Sequence, residues 1–224
     1  FKEDKEQNVY FLIDVSASQE IGLEGKQKSD IAKEIAGILC ISALKEGSQV
    51  GMVGYSDQRE LYVKPGKGQK HGYYAITRLF DLKPHSLKTS LDKGLSYLLG
   101  LVKRRSVIFL ISDFVDEGYE HHLKALARKH DLIVIHIKDK LETDLPMLGI
   151  VPIKDKETGK TRWVNTSSAT FKKHFQQKNK DHSSELKDIC KRNQADYLLI
   201  DTQEDYTSKL IKLFKIRNLS KKKA

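Results

Sequence analysis

The chain has 224 residues and a formal net charge of +10, from 40 Lys and Arg against 30 Asp and Glu. Hydrophobic residues make up 39% of the chain, which suits one domain with a strongly hydrated surface. No stretch approaches the roughly 20 apolar residues of a membrane-spanning helix, and none has the pattern of a signal peptide. Because the chain opens on Phe1 rather than Met, we expect a trimmed piece of a longer protein, with residues 1–7 ending a preceding segment.

The hydrophobic pattern predicts strands and helices in alternation along the chain. Apolar runs indicate strands at 9–14, 49–55, 106–112 and 131–137, and apolar residues at helical spacing indicate helices at 29–44, 72–82, 89–103 and 119–129. A short strand at 60–63 is expected to pair antiparallel with 49–55. A hairpin of 149–153 and 161–164 follows, and then a helix at 168–193, a strand at 196–201 and a helix at 204–215. Residues 216–224 are predicted to be a basic, disordered tail.

This order predicts an α/β, Rossmann-like fold with three layers. Its central sheet is mostly parallel, with one short antiparallel edge strand and helices on both faces. No internal repeat or low-complexity linker interrupts the pattern, so a single domain over 1–224 is predicted. Cys40 and Cys190 lie in helical patterns and are predicted to be small buried hydrophobes in a reducing compartment. No Cys-x-x-Cys pair is present, which excludes a zinc ribbon.

Oxygen-bearing side chains stand at three predicted strand or helix ends. Asp14, Ser16 and Ser18 follow the first strand, Thr89 begins a helix, and Asp113 follows the strand 106–112. Ligands of open α/β sheets bind at the carboxyl ends of the strands, so these groups are expected to converge there. Hard oxygen donors suit Mg²⁺, Mn²⁺ or Ca²⁺. The alternative is that Ser16 and Ser18 only cap a helix N-terminus.

The set Asp-x-Ser-x-Ser, then Thr, then Asp resembles the metal-ion-dependent adhesion site of von Willebrand factor type A domains. By this resemblance Ser16, Ser18 and Thr89 would bind one Mg²⁺ or Mn²⁺ ion directly, and Asp14 and Asp113 directly or through water. Two carboxylates leave such an ion under-neutralised and open at one position, where it can accept a carboxylate from a partner protein. Occupancy of the site stays open, and a vestigial site is one alternative.

A longer resemblance covers nearly the whole chain. The segments YFLIDVSAS, VGMVGYSDQ, KTSLDKGLSYL, VIFLISDFVDEGYE, ARKHDLIVIHI and WVNTSS resemble the bacterial domain-of-unknown-function family fifty-eight. Its members contain a type A-like domain and are commonly encoded beside MoxR-type AAA+ ATPases. The resemblance implies a cytoplasmic protein-binding module that assists such an ATPase in protein assembly or maturation. It implies no small-molecule substrate and no membrane contact through this segment.

Three charged residues are expected at the rim of the site. Lys88 stands where type A domains often have Gly, and its ammonium would either compete with a cation or point to solvent. Asp116 and Glu117 either add charge to the rim or act as acids at the N-terminus of the helix at 119.

Other functional classes find less support in the residues. A serine hydrolase needs Gly-x-Ser-x-Gly, and an aspartyl nucleophile would usually have an acid two residues on, where this chain has Ser16. We therefore expect no enzyme, although a metal-dependent phosphoester hydrolase remains an alternative. The region 172–224 holds 14 Lys and Arg against 7 Asp and Glu, so an anion or nucleic-acid binder is another. His121 and His122 are adjacent on a helix, point about 100° apart and are expected on a solvated face.

Overall fold

The computed structural model describes residues 7–20, 22–23, 26–142, 148–154 and 161–221. Within these ranges the strands are β1 (Asn8–Asp14), β2 (Gly22–Leu23), β3 (Lys26–Gln27), β4 (Gln49–Tyr55), β5 (Arg59–Gly66), β6 (Val107–Ser112), β7 (Asp131–Lys138), β8 (Ile150–Lys154), β9 (Thr161–Asn165) and β10 (Asp196–Asp201). The helices are α1 (Lys28–Lys45), α2 (Gly68–Phe80), α3 (Leu91–Leu101), α4 (Glu120–Lys129), α5 (Ala169–Arg192) and α6 (Tyr206–Lys221).

Six strands form the central sheet, in the order β10-β7-β6-β1-β4-β5. The first five of these run parallel, and β5 pairs antiparallel with β4 at the edge. The predicted fold class is therefore confirmed. The edge strand is longer than predicted and runs through Pro65. Proline has no backbone N–H to donate, and an edge strand tolerates this because one of its sides forms no hydrogen bonds to a neighbouring strand. The pairs β2–β3 and β8–β9 form separate two-stranded sheets.

Alternation along β1 places apolar side chains in two cores, one on each face of the sheet. Phe11 and Ile13 pack with residues of α1, α2 and α6, whereas Tyr10 and Leu12 pack with residues of α3, α4 and α5. The Phe11 ring stacks on a phenylalanine ring of the neighbouring strand β6, with centroids 5.0 Å apart. Each such buried side chain contributes about 1.5–3 kcal/mol, so the three-layer packing fixes β1 at the centre of the molecule.

The parallel register brings the carboxyl ends of the inner strands to one edge of the sheet. Asp14 is level with Tyr55 at the end of β4, and Ile13 is level with Ile111 of β6. Ser112 at the end of β6 is in turn level with His136 of β7. Polar residues that follow these strands therefore share one edge, as ligand-binding α/β sheets require.

Several element boundaries differ from those predicted. Helix α2 begins at Gly68 and α3 begins at Leu91, so Thr89 lies in the preceding loop rather than in the helix. Helix α6 continues to Lys221, which makes the prediction of a disordered tail from 216 wrong as far as residue 221. Its extension has a long-range cause, because Arg217 forms ion pairs with Asp131 of β7 and Asp196 of β10. Residues 1–6 and 222–224 lie outside the described ranges.

Both cysteines are buried and unbonded, as the sequence predicts. Among the helices in the described ranges, none is both long enough and apolar enough to cross a bilayer.

Candidate functional site

The sheet-edge site comprises Asp14, Ser16, Ser18, Thr89 and Asp113, and Asp14 organises it. The Asp14 carboxylate is buried and accepts four hydrogen bonds. Its Oδ1 accepts from the backbone N–H and the hydroxyl of Ser16, at 3.0 and 2.6 Å. Its Oδ2 accepts from Gln19 Nε2 at 3.1 Å and from the Ser112 hydroxyl at 2.8 Å. These bonds use the carboxylate's four lone-pair positions, so Asp14 fixes the turn that carries the two serines.

The two serine hydroxyls have the spacing of neighbouring metal ligands. Ser16 Oγ lies 2.9 Å from Ser18 Oγ. Adjacent oxygens around an octahedral Mg²⁺ ion are separated by about 3.0 Å, because each lies about 2.1 Å from the metal at a right angle to the other. Ser16 is buried and Ser18 is half-buried, so Ser18 is the more accessible of the two hydroxyl-bearing residues.

Asp113 is held by a strained turn at the end of β6. The next residue, Phe114, has φ +57°, a left-handed conformation that is unusual for a bulky side chain. Its ring is fully buried against Tyr119, and its backbone N–H donates to Ser112 Oγ at 3.0 Å. The same hydroxyl donates to Asp14, so Ser112 links the Asp14 carboxylate to the turn that carries Asp113. Strain of this kind concentrates at functional sites, where the surrounding packing maintains it.

Lys28 places a positive charge inside the site. This first residue of α1 has a side chain with no solvent exposure, and its Nζ lies 2.5 Å from Asp113 Oδ2 and 2.5 Å from Glu142 Oε1. Burial alone would lower the pKa of Lys28, but the charges of Asp113 and Glu142 raise that pKa above its usual value. The ammonium is therefore permanently charged, and one cation is already built into the sheet edge. Both of its partners lie more than 80 residues away in sequence, so no local pattern revealed Lys28.

Lys88 lies at the surface of the loop before α3. Lys88 is exposed, and its backbone N–H donates to Ser86 Oγ at 3.3 Å. Of the two alternatives that the sequence leaves open, this exposure favours the solvent-facing one. The cation beside the carboxylates belongs instead to Lys28.

The loop that carries Thr89 is attached on one side to the serine turn and on the other to the residue that follows β4. Ala17 N–H donates to Leu87 O at 3.2 Å, and Ser90 N–H donates to Ser56 O at 3.1 Å. Thr89 lies between these attachments and is half-buried. The structure thus brings the Thr89 segment to the Asp14–Ser18 turn, as the motif requires.

The Glu60 carboxylate on β5 anchors the same loop. It accepts the backbone N–H groups of His85 and Ser86 at 2.9 and 3.1 Å, and the Ser56 hydroxyl at 2.8 Å. Burial works against the charged form, but hydrogen bonds from His85, Ser56 and Gln58 outweigh it and lower the pKa of Glu60 to about 2. Glu60 is a functional candidate that the sequence did not single out. Its role is indirect, because it holds the loop that leads to Thr89 and is not one of the expected metal ligands.

Asp116 lies at the rim but caps a different helix from the one predicted. Its Oδ2 accepts the backbone N–H of Leu91 at 2.7 Å, so it caps α3 rather than α4, which begins at Glu120. Glu117 is exposed in the same loop. The capping bond ties the loop after β6 to the Thr89 segment, and that connection joins two parts of the site.

The electrostatics and donor chemistry of the site fit a hard cation. Burial raises the pKa of Asp14 to about 6, the negative charge of Asp113 adds to this, and hydrogen bonds from Ser16 and Ser112 oppose it. Buried carboxylates in this arrangement favour a nearby positive charge. The buried Gln19 Oε1 also meets no donor in the described part of the chain. An all-oxygen donor set with paired hydroxyls suits Mg²⁺ or Mn²⁺, and Lys28 supplies part of the charge that such an ion would bring.

A cavity of about 390 Å³ opens beside Asp14 and Ser16. Its wall includes the acids Glu20 and Asp30, with Lys33 and Lys83 also lining it. The serine turn can therefore be approached through this cavity.

His121 and His122 do not simply face solvent as predicted. His122 Nδ1 lies 2.6 Å from Asp92 Oδ1, and the His122 side chain is only 23% exposed. The prediction is correct for His121, whose side chain is 67% exposed. It is wrong for His122, because Asp92 of α3, which lies 30 residues earlier, meets the first turn of α4.

Comparisons with known proteins match most of the chain to one family of proteins. The family model described as "Protein of unknown function DUF58" matches residues 1–185. The uncharacterized protein Rv1480 of Mycobacterium tuberculosis is 22% identical over 212 residues, covering 93% of this chain and 67% of that protein. An aerotolerance-related membrane protein of Bacteroides fragilis has a similar fold, with a TM-score of 0.60, 15% identity, and coverage of 87% of this chain and 92% of that one. The VWA domain of SpRpn10 is more distant, with a TM-score of 0.48, 14% identity, and coverage of 92% and 94%.

Proposed function

The chain belongs to the DUF58 family of proteins of unknown function, and from that premise we propose that it is a metal-dependent protein-binding module. One Mg²⁺ or Mn²⁺ ion at the sheet-edge site is the proposed point of contact. The observation that carries this proposal is the 2.9 Å spacing of the Ser16 and Ser18 hydroxyls beside a buried, fully hydrogen-bonded Asp14. The resemblance of the motif to the adhesion site of type A domains supports it.

Each residue of the site has a distinct part in this proposal. Ser16, Ser18 and Thr89 would hold the ion directly, while Asp14 orients Ser16 by two hydrogen bonds. Asp113 would bind the ion directly or through water. The bound ion would supply an open, electrophilic position that attracts a carboxylate. Lys28 neutralises Asp113 whether or not an ion is bound, so the turn after β6 stays ordered in the absence of a partner.

Binding explains the site better than catalysis does. A hydrolase needs a base or nucleophile with a free lone pair. The Asp14 oxygens accept four hydrogen bonds, and Asp113 is paired with the Lys28 ammonium. A metal-dependent phosphoester hydrolase is the second candidate, and turnover of a phosphoester that is lost with Asp14→Ala would favour it over binding.

The proposed partner is a protein that presents a carboxylate. Following the family resemblance, we assign this role to a MoxR-type AAA+ ATPase or its client, in the bacterial cytoplasm, during protein assembly or maturation. Two buried, unbonded cysteines suit a reducing compartment. The sheet-edge cavity, with polar groups on its wall, can admit a single side chain of such a partner.

Calorimetric titration with Mn²⁺ and Mg²⁺ tests the site assignment. The wild type should bind one ion at this site, and Asp14→Ala should abolish the binding. Because Asp14→Ala removes a buried hydrogen-bonding hub, Ser18→Ala serves as a second variant, since Ser18 is only half-buried. Ser208→Ala is the matched control, with an exposed hydroxyl on α6 bonded only to Asp205 in the described contacts. Equal heats in wild type, Asp14→Ala and Ser18→Ala would overturn the proposal.

A further inference from the structure

A second group of metal-binding side chains lies where α3 meets α4. Asp92 is in the first turn of α3, and His121 and His122 are in the first turn of α4. One nitrogen of each imidazole and one Asp92 oxygen lie within 4.8 Å of one another. This cluster, Asp92 with His121 and His122, shares no residue with the sheet-edge site.

The spacing of these three atoms suits a small ion with nitrogen and oxygen ligands. Asp92 Oδ1 lies 2.6 Å from His122 Nδ1 and 3.8 Å from His121 Nδ1. Ligands around tetrahedral Zn²⁺ are separated by about 3.3 Å, since each lies about 2.0–2.1 Å from the metal. The observed separations lie on either side of that value, so small side-chain rotations bring all three atoms to coordinating positions.

The proximity of the two imidazoles is difficult to explain by a simple ion pair. A single His122–Asp92 pair would be complete without His121. Nevertheless, the His121 and His122 rings lie with centroids 3.8 Å apart, although neighbouring helical side chains diverge. His121 Nδ1 also donates to Gly118 O at 3.1 Å, and this bond must break before the nitrogen can bind an ion. The Nδ1 atoms of both rings nevertheless lie near the same Asp92 oxygen, that of His122 closer than that of His121.

We propose that Asp92, His121 and His122 form a Zn²⁺ site that joins α3 to α4. Imidazole nitrogens favour Zn²⁺ and related transition metals over Mg²⁺, which prefers oxygen. Zn²⁺ binds the Nδ1 lone pairs that become free when the proton of each neutral imidazole moves through solvent to Nε2, and its fourth position stays open to water or a partner's side chain. That position is accessible, because the side chains of His121 and Asp92 are 67% and 36% exposed.

The site's place in the fold gives it a consequence for the sheet edge. Leu91, the neighbour of Asp92, donates its backbone N–H to Asp116 in the loop after β6. A metal that fixes Asp92 therefore also fixes the start of α3, directly after the Thr89 segment. Zn²⁺ binding should consequently stiffen one side of the sheet-edge site without contacting it.

Titration with Zn²⁺, and with Co²⁺ as a spectroscopic probe, tests the proposal on protein free of any affinity tag. The wild type should bind one equivalent of Zn²⁺, and Co²⁺ should give visible d–d absorption. His121→Ala and His122→Ala should each weaken binding by at least about tenfold. His85→Ala is the matched control, because His85 Nδ1 lies 3.0 Å from a Glu60 oxygen, as in a simple ion pair.

The result for His121→Ala decides between a metal site and a hydrogen-bonded pair. This exposed side chain can be removed without disturbing the core, so His121→Ala should weaken Zn²⁺ binding by at least about tenfold while the protein stays folded. Saturable binding unchanged in both histidine variants, or no saturable Zn²⁺ binding in the wild type, would overturn the proposal. Ser18→Ala should retain Zn²⁺ and lose Mn²⁺, which separates failure of this site from failure of the sheet-edge site.

Discussion

Lys28 is the residue on which the charge balance of the sheet edge depends. Its ammonium is the cation that contacts both Asp113 and Glu142, and its side chain has no exposure to solvent. Removing one partner of a buried ion pair leaves the others buried and uncompensated, which typically costs about 3–5 kcal/mol. The stability of the apo protein is therefore expected to rest on this one side chain.

Replacing the ammonium should make stability depend on a divalent cation. Lys28→Met should lower the free energy of unfolding by about 3–5 kcal/mol, since Asp113 and Glu142 lose their counter-ion. Mn²⁺ should then restore more stability in Lys28→Met than it adds to the wild type, because it replaces the missing charge. Urea unfolding with and without Mn²⁺ measures both effects. Lys45→Met, an exposed change at the end of α1, is the control, and an equal response to Mn²⁺ in wild type and Lys28→Met would contradict the account.

His130 should make stability depend on pH below neutrality. It is 2% exposed at the end of α4, and its ring nitrogens meet no partner among the described residues. Burial lowers the pKa of His130 to about 4, and the charges of Lys129 and Arg105 act in the same direction. The unfolded chain, with a histidine pKa near 6.5, binds the proton first, so stability should fall as pH falls from about 6.5 to 4.

The variant His130→Leu isolates this contribution. Urea unfolding at several pH values should show the wild type losing about 1–3 kcal/mol more than His130→Leu between pH 6.5 and 4. Parallel stability curves for the two proteins would show that His130 is protonated equally in the folded and unfolded states.

At the scale of elements, the edge strand β5 controls the loop before α3. The Glu60 carboxylate accepts the backbone N–H groups of His85 and Ser86. Glu60→Gln should expose these two amides, because a charge-assisted hydrogen bond is worth about 1.5–3 kcal/mol and the new amide group cannot accept all the donors. Hydrogen exchange at His85 and Ser86 should therefore accelerate by about 10- to 100-fold.

The control for this experiment removes a weaker contact to the same carboxylate. Gln58 is exposed and donates to Glu60 Oε1 at 3.1 Å, so Gln58→Ala should leave exchange at His85 and Ser86 nearly unchanged. Mn²⁺ affinity should fall in Glu60→Gln, since Thr89 follows these residues. Unchanged protection of both amides in Glu60→Gln would show that the loop is held by other contacts.

Elements whose signal is local could be predicted from the sequence, and those set by distant partners could not. The apolar run that ends in Asp14 identified β1 and the serine turn correctly. The start of α3 was missed because Asp116, 25 residues later, caps Leu91. The end of α6 was missed because Arg217 is held by two strands. Lys28 and Asp92 were overlooked for the same reason, as their partners come close only when the chain folds.

At the scale of the whole molecule, some of the basic side chains behind the net charge of +10 form ion pairs within the fold. Lys28 is buried among carboxylates, and Arg217 is paired with Asp131 and Asp196. The basic character of the C-terminal region therefore partly reflects packing of α6 on the sheet. Internal pairing explains these two charges without a nucleic-acid partner, and the oxygen-rich sheet edge remains the more specific feature of the surface.

The most direct test of the central claim is a crystal structure of the protein soaked in Mn²⁺, with anomalous diffraction recorded. We predict an anomalous peak at roughly 2.2 Å from both Ser16 Oγ and Ser18 Oγ, close to Asp113 and absent in Ser18→Ala crystals. Full Mn²⁺ soaking that leaves no peak between the two serines, with Lys28 still bonded to Asp113 and Glu142, would contradict the account. The sheet edge would then be a site neutralised by its own lysine rather than by a metal.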